Sequence, residues 1–407
     1  MNTKGLTERD ICTKRITPAL VGAGWDLENQ IREEVSFTAA RSILVKRRRC
    51  IPFRKARNLY PSFFPHPDFG GKRWIVGDMD GSVVLCDELE AAQTRREQRR
   101  DRLVSASLHR LTDAAGDPDS GNDFKPAARF YLNHLPKLTV RPEHVKELRR
   151  AILDLAVRGR LVEQDAEDEP ASVLLERIRA ERERLIEAGV IRKSKPLEPI
   201  EEGEIPFEVP ENWCWVRVAD VAITRLGKML DKAKNTGKPR AYLRNVNVRW
   251  FDFDLSDLLE MRFEEDELEK FSLKAGDVLV CEGGEPGRAA VWDSRATDIY
   301  FQKAIHRVRL LGGIVPIYFA RALHHDAFSG RLEKYFTGVT IQHLTGRGLS
   351  GYSFPLPPIA EQHRIVARID ELFAVCKELE VKQTLVVSIG GRLLETSLFG
   401  CHQAFDI

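Results

Sequence analysis

The side chains in this 407-residue chain that could do chemistry are cations and amides gathered between short apolar runs. Arg225, Lys228, Lys232, Lys234, Lys238 and Arg240 follow one such run, with Asp231 the one acid between them. Arg244, Asn245, Asn247 and Arg249 come next. Arg288, Gln302 and Lys303 fall at the ends of predicted strands, and Thr340, Gln342 and His343 in the stretch Gly338–Gly346. Lys and Arg hold phosphates, while Arg, Asn and Gln carry the donor and acceptor pairs that read base edges. The plainer reading is a solvated basic loop, with half of the polar set capping turns and His343 structural. A second basic cluster, Arg41–Arg57, has eight cations and no acid, and phosphate contact and simple solvation are equally good readings of it.

Bond-making chemistry has no such support. There is no Walker A loop, no Asn-Pro-Pro-Tyr-like methyl-transfer loop and no nucleophile elbow. Gly283-Gly284-Glu285-Pro286-Gly287-Arg288 is glycine-rich, but Glu282 and Glu285 would repel a phosphate, so it reads as a turn between strands. The seven cysteines are scattered, none in Cys-x-x-Cys, and no histidines cluster at metal spacing. Reduced thiols in a cytoplasmic protein without metal or cofactor are expected. No run of apolar residues is long enough for a membrane span, and the N-terminus lacks the apolar core of a secretory signal.

The elements that must position these side chains are announced by an internal repeat. Residues 64–108 align without gaps on 354–398, with 16 of 45 positions identical. Chance would give about 3, and a repeat takes precedence in reading architecture. The later copy carries an apolar stripe of Ile365, Ile369, Leu372, Cys376 and Leu379, spaced 4, 3, 4 and 3, which wants a partner helix. The earlier copy has Gly77 and Gly81 where the later has Ala367 and Glu371, so it should be frayed until about Leu85. Leu89 and Leu103 are its counterparts for a paired interface.

Between the copies the pattern changes twice. Residues 112–127 are a polar, Gly- and Asp-rich linker. Val145, Leu148, Ile152, Leu155 and Leu161 mark one helix, ending at Gly159, and a second runs from Pro170 to Ala188. From Pro206 short alternating β-branched and aromatic runs announce a β-rich domain of about 150 residues. Ile317–Leu332 reads as its helix.

Three long motifs then make the family recognisable. They are LRRAILDLAVRGRLV followed by IPFEVPENWCWVRVADV, the stretch GDVLVCEGGEPGRAAVWD, and YFTGVTIQHLTGRGLSGYSFPLPPIAEQHRIVARIDELFAVCKELE. In this order they resemble the specificity subunit of type I restriction–modification enzymes, across roughly 64–400. The resemblance implies an α+β fold: a target-recognition domain at 206–356, flanked by spacer helices at 64–112 and 357–400 that pair as an antiparallel coiled coil. Residues 113–138 would be a linker and 139–205 a helical region. It implies duplex DNA as ligand, methyltransferase and restriction subunits as partners, and no catalysis by the chain itself. It also places the glycine turn and the closing loop near DNA.

The family plan has two recognition domains, and this chain has room for one. Residues 1–45 resemble instead the opening of a type I restriction subunit, without the acidic site of its nuclease. A half-length subunit could regain two reading heads by self-association. The alternative is a rearranged remnant that docks on partner subunits without selecting DNA.

Overall fold

The computed structural model describes residues 72–113, 134, 138–191, 198–231 and 235–404, with side chains described within 87–112 and 138–385 of these ranges. The segment 1–63 with its basic cluster, most of the linker 113–138, and Lys232 lie outside the described residues. The chain divides into two compact units at Glu97/Gln98. Of the first, the described part is the N-terminal stretch of helix α1 (Lys72–Asp113). Its backbone is helical from Lys72 straight through Gly77 and Gly81, so the expected fraying up to Leu85 is not what the backbone shows.

The second unit is built around a strand buried on both faces. Eleven strands are described: β1 (Cys214–Arg217), β2 (Ala222–Leu226), β3 (Lys238–Leu243), β4 (Val248–Arg249), β5 (Asp252–Phe253), β6 (Leu259–Phe263), β7 (Val278–Cys281), β8 (Ala289–Val291), β9 (Tyr300–Phe301), β10 (Ile305–Leu310) and β11 (Ser353–Leu356). β2, β10, β7 and β8 form a four-stranded sheet in that order, with antiparallel neighbours. In β7 the sequence Val-Leu-Val-Cys does not alternate with polar residues because neither face meets water. Val278 and Val280 point into one apolar cluster, Leu279 and Cys281 into another. The second cluster is completed by Trp292, just after β8, and by Leu243, Phe253 and Phe301 from the smaller sheets β6-β3-β9 and β4-β5. β1 pairs with β11, Cys214 opposite Leu356, so the chain leaves the β-rich region where it entered.

The first cluster reaches beyond the sheet. It takes in Val145, Ile152 and Ala156 of α2 (Pro142–Val157), Leu174 and Ile178 of α3 (Ala171–Glu187), Phe319 and Leu323 of α4 (Pro316–Ser329), and Ile365, Ile369 and Cys376 of α6 (Ile359–Ala404). Helices and sheet therefore share one core. α2 ends as the sequence indicates. Gly159 has φ of 70°, and Arg160 N donates to Leu155 O while Gly159 N donates to Ala156 O, a Schellman closure. A Cβ at Gly159 would stand 2.5 Å from Pro210 Cγ, so this glycine also allows the strand entrance to close on the helix.

The apolar stripe of the second repeat copy finds its partner in α2. Ile365, Ile369 and Cys376 are fully buried and Leu372 and Leu379 partly so. Gln383 donates to Thr139 O at 2.8 Å, Arg149 pairs with Glu380 at 3.1 Å, and Arg364 grips Asp168. Residue numbers rise along α2 as they fall along α6, so the two helices are antiparallel. α1 packs on α2 in the opposite sense: Asp101 meets Arg141 and His144, Ser105 meets Glu147, and Val104, Leu108 and Leu111 cluster with Leu148 and Ala151. Residues 101–111 of α1 thus run antiparallel to α6, with α2 supplying the packing surface. Leu89 and Leu103, expected in the interface, are 50% and 51% exposed. The stripe α1 buries is shifted by one residue, onto Val104.

A polar network locks α2 to the β-rich part. His325 bonds Asp326 at 2.8 Å and Asp154 of α2 at 3.2 Å, and Asp326 also accepts from Tyr352 and Arg331. Despite the cost of burial, hydrogen bonds to the two carboxylates hold the His325 imidazole above its ordinary pKa. Its neighbour His324, buried and close to Arg321, is pushed down to about 4.

Two outcomes follow for urea unfolding. Ile369→Ala should destabilise by about 2–5 kcal/mol, and Leu103→Ala by no more than about 0.5 kcal/mol; the reverse ranking would return the interface to Leu103. Because the folded His325 pKa is raised, its contribution is complete below the unfolded value of about 6.5 and is lost as pH rises through the folded value. The stability gap between wild type and His325→Gln should therefore shrink from pH 6 towards pH 8. A gap that widens over that range would refute an imidazolium at this position.

Candidate nucleic-acid interface

Four loops meet at one edge of the four-stranded sheet. They are the segment after β2 (Gly227–Leu230), the β9–β10 turn (Gln302–Ala304), the start of the β7–β8 loop at Glu282 and Gly283, and the closing hairpin Thr337–His343. Backbone hydrogen bonds run from each to the next. Lys228 N donates to Phe301 O and Lys303 N to Lys228 O; Glu282 N donates to Ala304 O and Leu344 N to Glu282 O; Thr337 and His343 exchange both bonds at 2.9 Å. The loops are thereby fixed to the sheet. Between them lies an open cleft of about 510 Å³, lined among others by Met229, Leu230, Gln302, Lys303, His343 and Thr345.

Below the cleft His306 is buried and donates from Nε2 to Leu344 O at 3.0 Å, with burial holding the imidazole below its ordinary pKa and neutral. Beside it the Cys281 thiol is pushed up to about 11 by burial and serves as core.

The candidate binding residues divide sharply. Gln302, Lys303 and His343 line the cleft together with Lys228 and the acid Glu282, and Thr340 and Gln342 are exposed on the hairpin next to it. No side-chain hydrogen bond or ion pair holds Lys303 among the described residues, so its ammonium is available to a ligand. The other described candidates are paired within the protein. Lys228 is 6% exposed, ion-paired with Glu267 and lies 5.3 Å from the Phe263 ring centre. Arg240 faces Glu265 at 3.6 Å and Tyr300. Arg244 donates to the Asp257 carbonyl and carboxylate at 2.7 and 2.6 Å. Asn247 is buried; it accepts from Arg244 N and donates to Asp254 O and Asp257 O, which pins that turn. Arg288 bonds Glu285 and Asn245 O, and Asn245 in turn donates to Gly283 O, so both support the glycine turn from behind. Arg249 is exposed and pairs with Asp254 at 3.5 Å, away from the cleft loops on the β4–β5 hairpin. The glycine turn itself is the β7–β8 connection, with φ of 80° at Gly284 and 89° at Gly287.

Reading the sequence by polarity missed the apolar members of this surface. Met229 and Leu230 are half exposed at the cleft, and Val339 and Ile341 stand out on the hairpin. The signal was present as Gly-Val-Thr-Ile-Gln-His, aliphatic residues in a turn-bounded loop where a core segment would be longer.

Comparisons with known proteins cover this unit and reach beyond it. The family model described as type I restriction modification DNA specificity domain matches residues 210–387. These 178 of the 407 residues are similar to that domain. The chain is similar to two curated proteins of Escherichia coli. The EcoEI type I restriction enzyme specificity subunit is 25% identical over 338 residues, covering 80% of this chain and 56% of the relative. The EcoAI specificity subunit is 28% identical over 336 residues, covering 79% and 56%. The chain thus spans about half the length of the curated relatives it matches. Among solved structures, the HsdS subunit from Thermoanaerobacter tengcongensis aligns with a TM-score of 0.35 and 18% identity over 52% of this chain and 51% of that one. A structure titled for complex assembly and conformational transition of the type I R-M system aligns with a TM-score of 0.37 and 19% identity, over 55% and 54%. No helix among the described residues is long and apolar enough to cross a membrane.

Within the β-rich unit the two sets of polar residues should separate in experiment. Asn247→Ala leaves its buried partners unsatisfied and should cost about 1–3 kcal/mol of stability. Lys303→Ala should leave the unfolding midpoint in place and act only on polyanion binding. Equal loss of stability in both would contradict the division.

Proposed function

We propose that this chain is a half-length specificity subunit of a type I restriction–modification system. It would select duplex DNA through its single recognition domain and position methyltransferase and restriction subunits there, in the cytoplasm. The observation that carries this is the cleft edge of the specificity domain. A cation, amides and an imidazole converge on loops that the sheet holds rigid, and their side chains are turned outward rather than consumed by internal bonds. Lys303 holds the backbone, while Gln302, Gln342 and Thr340 have the donors and acceptors for base edges. The antiparallel α2–α6 pair, continuous with the domain core, is the surface offered to partner subunits. No step of catalysis is assigned to this chain.

One reading head contacts one half of a split site. A second copy related by two-fold symmetry would restore the second half. The rival reading, a docking remnant without DNA selectivity, draws on the same half length.

A gel-shift separates them. The chain with its cognate methyltransferase subunit should shift a random-sequence duplex pool and enrich a sequence from it. Lys303→Ala should weaken binding to all sequences alike and reduce the slope of log K against log salt by about 1. Complex formation with the methyltransferase but no enrichment would establish the docking remnant instead, and no shift even at low salt would remove DNA binding altogether.

A further inference from the structure

The closing hairpin presents two aliphatic side chains with nothing to cover them. Val339 is 102% exposed and Ile341 67%. They flank Thr340 at the tip of a turn whose shape is fixed at both ends. Thr337 and His343 close it with paired backbone bonds at 2.9 Å, and Gly338, at φ of 94°, passes so close to Ile341 O that an added Cβ would stand 2.2 Å from it. The tip is therefore rigid and apolar, on a loop whose base lines the same cleft as Lys303 and Gln302. Chance surface exposure explains one such residue; two β-branched residues on one constrained turn, bordered by Gln342 and His343, form a probe with a polar rim. β-Branched side chains have few rotamers to lose when they are buried by a ligand.

We infer that Val339 and Ile341 read the 5-methyl group of thymine in the major groove. This rests on the proposed DNA recognition and adds the base class it selects. The polar lining at the base of the hairpin argues for a nucleic acid rather than an apolar protein groove: beside Glu282 and the paired Lys228, Lys303 is an exposed cation that no described side chain neutralises, and Gln302 and His343 add donors and acceptors. Along the major-groove edge of duplex DNA the thymine methyl is the apolar feature among donors and acceptors. An aliphatic tip fits it and gains nothing from cytosine or uracil at that position. The target half-site of this chain therefore contains thymine.

The test uses the full chain with its methyltransferase partner. A random duplex pool is enriched on the complex, and the resulting consensus is synthesised once with thymine and once with 2′-deoxyuridine. Wild type should bind the uracil duplex about fourfold more weakly for each methyl group it shields. The double variant Val339→Ser/Ile341→Ser, altered only at exposed positions, should bind both duplexes equally, at the level wild type shows on uracil. Equal binding of the two duplexes by wild type overturns the inference, as does a consensus without thymine. If the variant weakens binding of both duplexes to the same extent, the tip is a wedge between base steps and the methyl reading fails. Absence of any shift removes the parent reading and this one together, which distinguishes that failure from equal affinity.

Discussion

The burial of the α6 stripe is the constraint on which the rest of this protein depends. Ile365, Ile369 and Cys376 are removed from water by α2 and by the helix-facing side of the sheet at once. Several aliphatic side chains in one cluster outweigh any single polar contact in the unit. They fix where α6 leaves the β-rich part, and so where β11 must end and β1 begin. The polar bonds around them add direction. Trp213 donates to Glu361 at 2.8 Å, Gln362 receives Val315 N at 2.8 Å, and Arg364 holds Asp168. Burial raises the Glu361 carboxyl above its usual range while Trp213 and Gln164 pull it down, so this carboxyl is tethered as well as enclosed.

The shared core gives the binding edge its rigidity. The four-stranded sheet has apolar clusters on both faces, so its strands cannot shift without moving the helices or the smaller sheets. The loops at the cleft hang from β2, β7, β9 and β10 and are bonded to one another through their main chains. Side chains that must meet a ligand without reorganising are best placed on such loops, because little ordering entropy remains to be lost on binding. The internal polar residues contribute the same property from beneath. Asn247, Arg244 and Asn245 hold the turns behind the cleft, and Arg309 fixes buried Asp277 through two bonds of 2.7 Å.

Much of this was legible in the chain itself. The repeat, the helix over 142–157 with its glycine end and the β-rich pattern from Pro206 follow from periodicity, turn residues and internal identity, whereas the antiparallel sense of the two long helices rests on the family resemblance. The separation of polar residues into readers and supports did not follow. Asn247 and Lys303 have equally suitable chemistry as sequence. One is enclosed by the carbonyls of residues 254 and 257, and the other projects from a two-residue turn. Among the described residues α2 packs on the α6 stripe, a detail a heptad pattern leaves open, since it states that a helix needs a partner and not which helix it is.

The sequence by itself determined the element types, the doubled segment and the β-rich pattern from Pro206, since these are properties of local pattern. Tertiary structure decided that α2 packs on both α6 and residues 101–111 of α1, that Leu89 and Leu103 face solvent, and that Lys228, Arg244, Asn247 and Arg288 are consumed internally. It also decided that Val339 and Ile341 stand uncovered. The physical reason is the same in each case: burial depends on which distant segments converge, and a residue's own neighbours in the chain do not carry that information.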